Sequence, residues 1–419
     1  MGCKYLEFND EQLDNFIKLL IQMYADDTII FADSESNMQV ALNALQQYCD
    51  TWKLEINCSK TKICIFSRSK INHANFNFTY GNQIIETINN YKYLGVILNY
   101  NGSFKLALDN LRSQASRAMY SVISKSRRLG LPIKTQLHLF DTIISPIMLY
   151  GCEIWGYSDA SILEKLHLKF LKLILGVHIR SCSNMVYGEL GRFPLDIIIK
   201  KRAVGFWARI LAGKNTKLTR IVYTQFRCMY DRNYFKSEWF EFIRNILEDC
   251  NLSEIWRSEA FITVDRLKNV VHNKLKEKFI NKWTNDIQNM TSCDTYVNFK
   301  TEFKLEEYLS YLPPMSRLSF CKFRLNNTRL PKVLGRYRQI PREQRFCTLC
   351  TNEGLIGDEF HLLLECSHPQ LVQLRSKYID SSYTIHPSMQ KCIELIANEN
   401  PAVIRNLGMF LRYSLKLLR

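Results

Sequence analysis

Apolar and polar positions repeat with two different periods along this chain, and the change falls near residue 100. Before it, apolar residues come in short runs. Ile17-Lys18-Leu19-Leu20-Ile21-Gln22-Met23 and Thr28-Ile29-Ile30-Phe31-Ala32 flank Tyr24-Ala25-Asp26-Asp27. Two β-prone runs around a short acidic turn predict a hairpin with paired carboxylates at its tip. Phe76-Asn77-Phe78-Thr79-Tyr80 alternates, and Gly81-Asn82 turns it into Gln83-Ile84-Ile85. Tyr93-Leu94-Gly95-Val96-Ile97-Leu98 reads as one further strand, ended by Asn99-Tyr100-Asn101-Gly102. Between the hairpin and these strands, Val40, Leu42, Leu45 and Tyr48 recur at helical spacing and predict a helix from about Asn37 to Thr51.

From about residue 105 the period is helical. Leu108, Leu111, Ala115, Ala118 and Val122 share one arc, while Lys105, Arg112, Arg117, Lys125 and Arg128 fall largely outside it, and Gly130 and Pro132 stop the helix. A second helix is predicted from a capping box at Ser161 and Glu164. It would bury Leu163, Leu166, Phe170 and Leu173, expose Lys165, Lys169 and Lys172, and end at Gly176. Residues 213–330 read as mostly helical, with Trp239, Phe240, Phe242, Trp256 and Trp283 as core aromatics and Pro313-Pro314 as a break.

Composition narrows the class. The 419 residues are 47% hydrophobic, enough for a sizeable core, and carry 56 Lys+Arg against 40 Asp+Glu, a net charge of +16. A basic excess of that size fits a polyanionic partner, with nucleic acid first. No apolar stretch reaches the roughly 20 residues of a membrane span. No secretory signal opens the chain, so the 14 cysteines are expected to be reduced and the protein intracellular, in cytoplasm or nucleus.

Four constellations could carry chemistry. Asp26 and Asp27 could hold divalent metal against phosphate, as two-metal nucleotidyl transfer requires; the alternative is an ordinary exposed turn. Asn57-Cys58-Ser59-Lys60-Thr61-Lys62 presents two lysines before a strand, either of which could meet a triphosphate or simply cap the strand. Cys347, Cys350, His361 and Cys366 have the spacing Cys-x2-Cys-x10-His-x4-Cys, three thiolates and an imidazole for a closed zinc site, with His368 a spare nitrogen. The alternative is buried cysteines and a core histidine. Finally, Lys322, Arg324, Arg329, Lys332, Arg336, Arg338, Arg342 and Arg345 face a single acid, Glu343, and interleave with Phe323, Tyr337 and Phe346, while Pro331 and Gly335 break regular structure. Arginines bind phosphate and rings stack on unpaired bases, so this run is the foremost nucleic-acid contact candidate.

The order of these motifs resembles the C-terminal part of a non-LTR (LINE-type) retrotransposon reverse transcriptase. Tyr24-Ala25-Asp26-Asp27 looks like the family's catalytic palm hairpin, Asn57 to Lys62 like the next palm motif, and Tyr93-Leu94-Gly95 like its primer grip. Tyr150-Gly151-Cys152-Glu153-Ile154-Trp155-Gly156 and Tyr187-Gly188-Glu189-Leu190-Gly191 resemble its helical thumb, and the cysteine-histidine cluster its C-terminal zinc knuckle. The resemblance implies an α+β fold: part of a palm (residues 1–100), a helical thumb (101–215), a helical connector (216–330), the basic run with a zinc knuckle (331–380) and a helical tail (381–419). It implies an RNA template and a DNA primer or target as partners, Mg²⁺ and Zn²⁺ as cofactors, Asp26 as a metal ligand assisted by Asp27, Tyr24 lining the primer end, and Lys60 near the incoming nucleotide.

The family also needs fingers and an earlier palm aspartate, and neither is found before Tyr24; Asp10 and Asp14 lie in a polar, turn-like stretch. The expectation is therefore a truncated polymerase, inactive alone. The competing readings are a non-enzymatic, zinc-dependent nucleic-acid-binding protein and a functionless relic that aggregates through its uncovered half-palm.

Overall fold

The computed structural model of this chain describes residues 21–67, 76–350 and 354–418. Asp10, Asp14 and the first half of the leading apolar run lie outside these residues. The architecture is α+β, with small hairpins at the beginning followed by a large helical region and the cysteine-histidine cluster.

Three antiparallel hairpins come first. β1 (Ile21–Tyr24) pairs with β2 (Asp27–Ile30), β3 (Phe78–Tyr80) with β4 (Gln83–Ile85), and β5 (Asn90–Tyr93) with β6 (Val96–Asn99). The last pair corrects the reading of Tyr93 to Leu98 as one strand. The chain reverses at Leu94-Gly95, where φ is 44° and 87°. Leucine is strained in that region, and a residue far along the chain holds it there. The Tyr150 hydroxyl donates to the Leu94 carbonyl at 2.7 Å. A Cβ at Gly95 would lie 2.9 Å from the Tyr150 ring.

The helix Glu35–Trp52 starts where Ser34 accepts a hydrogen bond from the Asn37 N–H, and it ends at Lys53 in the left-handed conformation. Its buried positions are Leu42 and Cys49; Val40 and Tyr48, expected on that face, are exposed. Leu42 joins Ile63, Phe78 and Ile85 in a small core, with Met38, Cys58, Ile65, Phe76 and Tyr80 around it. The Gln39 amide fixes the register by donating to the Thr79 carbonyl and accepting from the Thr79 N–H, at 2.8 and 2.9 Å.

The chain forms two compact units that alternate along the sequence. One takes the residues up to Asn110 with Tyr150–Asp159 and Lys200–Lys268. Within it, Arg202 grips Glu153 through two hydrogen bonds of 2.9 and 3.1 Å, and the Trp239 indole donates to the Glu153 carbonyl. Fully buried Trp207 donates to the Tyr223 hydroxyl, which donates in turn to Glu259.

The other unit takes Leu111–Leu149, Ala160–Ile199 and Asn269–Arg419. At its centre is an ion network around a buried pair. Glu189 is 0% exposed and Arg324 3%. Arg324 donates to Glu189 at 2.6 Å and to Glu306 at 3.0 Å; Tyr308 and Tyr296 donate to the same Glu189 carboxylate, and Lys300 pairs with Glu306. The guanidinium also lies over the Phe299 ring, 4.7 Å from its centroid. Gly188 lets this assembly close, since a Cβ there would meet the Trp283 ring at 2.5 Å.

Two local expectations about the helix Ser161–Leu175 fail in this unit. No capping box forms; Ala160 occupies the N-cap position without a side-chain bond. Glu164 turns inward instead, bonding His167, the Tyr187 hydroxyl and the Leu195 N–H. Lys172, expected at the surface, is 8% exposed and donates to the Ile179 carbonyl at 2.9 Å. No helix among the described residues is long and apolar enough to cross a membrane.

The ion network sets a stability expectation. Arg324→Met leaves Glu189 charged and buried, which costs about 3–5 kcal/mol. Pairing it with Glu189→Leu restores most of that loss, read as the urea midpoint of tryptophan fluorescence. A double variant no more stable than the sum of the two single losses would show that pairing is not what holds this centre.

Candidate metal centres and nucleic-acid interface

The acidic hairpin forms as the sequence predicts. Tyr24 pairs with Asp27, leaving Ala25 and Asp26 as the two-residue turn. Ala25 sits at φ 55°, a conformation glycine would adopt without strain. Tyr24, Asp26 and Asp27 are all exposed. Among the described residues, no further acidic, histidine or cysteine side chain joins Asp26 and Asp27 in a metal-ligating cluster. Two exposed carboxylates alone do not make the cage that two divalent cations need, so the hairpin as described does not fit a complete two-metal centre. Of the two turn lysines, Lys60 is exposed, whereas Lys62 is paired with Glu86 at 2.6 Å.

The cysteine-histidine cluster fits its metal. The donor atoms of Cys347, Cys350, His361 and Cys366 all lie within 4.8 Å of one another. Cys347 Sγ is 3.9 Å from Cys366 Sγ, and Cys350 Sγ is 3.4 Å from His361 Nε2. Bonds of ~2.3 Å to sulfur and ~2.0 Å to nitrogen, arranged tetrahedrally, give edges of about 3.5–3.8 Å. The Cys3His set is thus that of a closed zinc site, which serves structure and leaves no position for substrate. Burial, reinforced by the neighbouring thiols, pushes the Cys366 thiol up to about 12. A divalent cation reverses that preference by stabilising the thiolates.

The surrounding fold holds the donors in place. Phe346 bridges Ile356, and the Cys347 N–H donates to the Leu355 carbonyl, which makes the knuckle. His361 opens a π-helical turn, His361–Glu365, that delivers its ring and Cys366 to one side. The Glu365 carboxylate lies 3.6 Å from His361 Nδ1, the nitrogen facing away from the sulfurs. Buried Arg375 donates to the Leu363 and Cys366 carbonyls. His368, the spare nitrogen of the sequence, is not in the cluster.

The basic run divides by burial. Arg324 is enclosed in the ion network described above. Lys332 is buried too, reaching Glu359 and Asp294 at 3.0 Å each. These two are corrections: acids from distant segments draw them inward, away from any polyanion. Arg345 is half-buried and donates to the Ile340 and Lys332 carbonyls, packed where Gly335 leaves room. Pro331 and Gly335 do not break the chain here; Pro331 starts a helix, Pro331–Tyr337, and Gly335 lies inside it. Phe323 is core, 2% exposed. Arg329, Arg338 and Arg342 remain exposed, together with the rings of Tyr337 and Phe346, and Lys322 and Arg336 are half-buried.

Comparison with known proteins bears on the segment that carries the hairpin. Residues 4–98 match the family of reverse transcriptases (RNA-dependent DNA polymerases). Over 171 residues, 38% of this chain, the sequence is 25% identical to the RNA-directed DNA polymerase from mobile element jockey of Drosophila melanogaster, covering 18% of that protein. It is 24% identical to a putative transposon-derived protein of Caenorhabditis elegans over 48% of this chain and 74% of that protein. It is also 24% identical to a probable RNA-directed DNA polymerase from transposon BS of Drosophila melanogaster, over 34% of this chain and 17% of that one. No solved structure matches significantly. The match is thus to reverse transcriptases of the non-LTR, jockey-like kind, at the level of family.

Sequence reasoning missed Glu189, Glu306 and Lys300. One signal was present: Glu189 falls between Gly188 and Leu190 in a short apolar helix, where a charge has no solvent-facing stripe.

Purified from zinc-containing medium, the chain is expected to hold about one equivalent of tightly bound zinc. Cys350→Ser or prolonged chelation should release it and raise hydrogen exchange across residues 346–366. Metal analysis showing less than about half an equivalent would contradict the site.

Proposed function

We propose that these residues belong to the nucleic-acid-handling machinery of a non-LTR reverse transcriptase, holding template RNA and a DNA primer or target. The observation that carries this reading is the Tyr24-Ala25-Asp26-Asp27 hairpin inside the segment that matches the reverse transcriptase family. In this reading Asp26 is the direct metal ligand and Asp27 its assistant. Tyr24 lines the primer end, and Lys60 stands near the incoming nucleotide. Mg²⁺ chemistry at the hairpin requires a carboxylate beyond those described around it, and in this reading the chain by itself binds nucleic acid without polymerising.

The zinc knuckle and the exposed part of the basic run supply the binding function. Arg329, Arg338 and Arg342 neutralise phosphates, with Lys322 and Arg336 beside them, and Tyr337 and Phe346 offer faces to unpaired bases. The closed donor set supports a second reading, a zinc-dependent nucleic-acid-binding protein without enzymatic activity, in which the knuckle and its arginines act by themselves.

Primer extension on poly-rA/oligo-dT with Mg²⁺, beside binding at two salt concentrations, tests this reading. The expected result is no incorporation by the 419-residue chain and binding that weakens steeply with salt. Incorporation abolished by Asp26→Ala would overturn the claim of an incomplete centre. Binding indifferent to salt between 50 and 200 mM would remove phosphate neutralisation as its basis, since even three phosphate contacts predict a loss of roughly tenfold or more.

A further inference from the structure

Two cysteines far apart in sequence meet at the start of the helix Ser183–Leu190. Cys182 is its N-cap residue, and its sulfur lies 3.9 Å from that of Cys293, 111 residues on. Cys182 is partly exposed, while Cys293 is 0% exposed. The buried Lys172 ammonium, held by the Ile179 carbonyl and 3.5 Å from Ser183 Oγ, interacts electrostatically with Cys182. The Ser292 hydroxyl lies 3.8 Å from Cys293 Sγ.

These surroundings favour a thiolate. The hydrogen bond with Cys293, the largest influence, pulls Cys182 down to about 5 against its burial. Other buried thiols behave oppositely: burial pushes Cys152, Cys321 and Cys392 up to about 12. An accessible thiolate beside a shielded thiol is the arrangement that lets a first oxidation be captured as a disulfide.

We propose that Cys182 is a hydroperoxide-reactive thiol and that Cys293 is its resolving partner, so that the pair closes reversibly into a disulfide. The Cys182 thiolate attacks one oxygen of hydrogen peroxide. An S–O bond forms, the O–O bond breaks, hydroxide leaves, and the sulfur is oxidised by two electrons to a sulfenic acid. The Cys293 sulfur then attacks that sulfur. An S–S bond forms, the S–O bond breaks, and the hydroxyl leaves with the Cys293 proton as water. The bridge ties the start of the helix that carries Glu189 to the turn that carries Asp294, the partner of Lys332.

The test uses the zinc-loaded, reduced, full 419-residue chain. After treatment with hydrogen peroxide, peptide mapping without reductant is expected to find Cys182 joined to Cys293, and dithiothreitol to separate them. Iodoacetamide should label Cys182 at a rate nearly flat between pH 6 and 8, where free N-acetylcysteine gains roughly tenfold per pH unit. In Cys293→Ser, Cys182 should be captured by dimedone as its sulfenic acid, with no bridge formed. A wild-type map lacking the joined peptide, or Cys182 labelling that climbs with pH like the free thiol, would overturn the proposal. Both wild-type readouts hold whether or not the variant folds.

Discussion

Glu189 and Arg324 are the interaction on which the helical, C-terminal unit depends. Each ion alone would be very costly where it sits, because neither reaches water. Burial pulls the Arg324 proton affinity down, but Glu189 and Glu306 more than offset it, leaving the guanidinium firmly charged. The remaining carboxylate lone pairs are filled by the Tyr296 and Tyr308 hydroxyls. A buried pair contributes little net stability over a well-packed apolar substitute, but it penalises every arrangement in which one partner is missing. The helix Ser183–Leu190, the segment around Glu306 and the helix Pro314–Arg324 are thereby committed to one mutual geometry.

That commitment explains how one basic run serves two purposes. Arg324 and Lys332 have acidic partners and hold the frame, with Lys332 fastening the helix Pro331–Tyr337 to Glu359 beside the metal cluster. Arg345 fastens the same helix through carbonyls rather than carboxylates. The arginines left at the surface flank the helix that Lys332 and Arg345 hold in place. The zinc donors close a short loop, and a metal there would tie Cys347 and Cys350 to the buried segment that carries His361 and Cys366.

Features set by local order were legible in the sequence. The acidic hairpin is written in two apolar runs and a turn, and the donor cluster in a spacing that tetrahedral coordination demands. Features decided by distant partners were not. Arg324 meets its carboxylate 135 residues away, so counting acids within the run made every cation look available. Glu164 has the spacing of a capping residue, yet the Tyr187 hydroxyl and the Leu195 N–H draw it inward. Leu94 reads as a strand residue by composition, and its positive φ becomes tolerable only through Tyr150. Val40 and Tyr48 stand about 160° and 120° round the helix from Leu42, whereas Cys49 returns to its face, so only Leu42 and Cys49 are buried.

The central claim is that burial divides the basic run, leaving exposed Arg329, Arg338 and Arg342, the last 4.0 Å from Asp294, with the exposed rings of Tyr337 and Phe346 to meet nucleic acid. Photocrosslinking of the zinc-loaded chain to a photoreactive single-stranded RNA, followed by mass-spectrometric mapping, tests it most directly. The account predicts adducts concentrated on residues 329–346, with Tyr337 and Phe346 foremost. Adducts that avoid this segment, while the bound RNA is retained elsewhere on the chain, would contradict it.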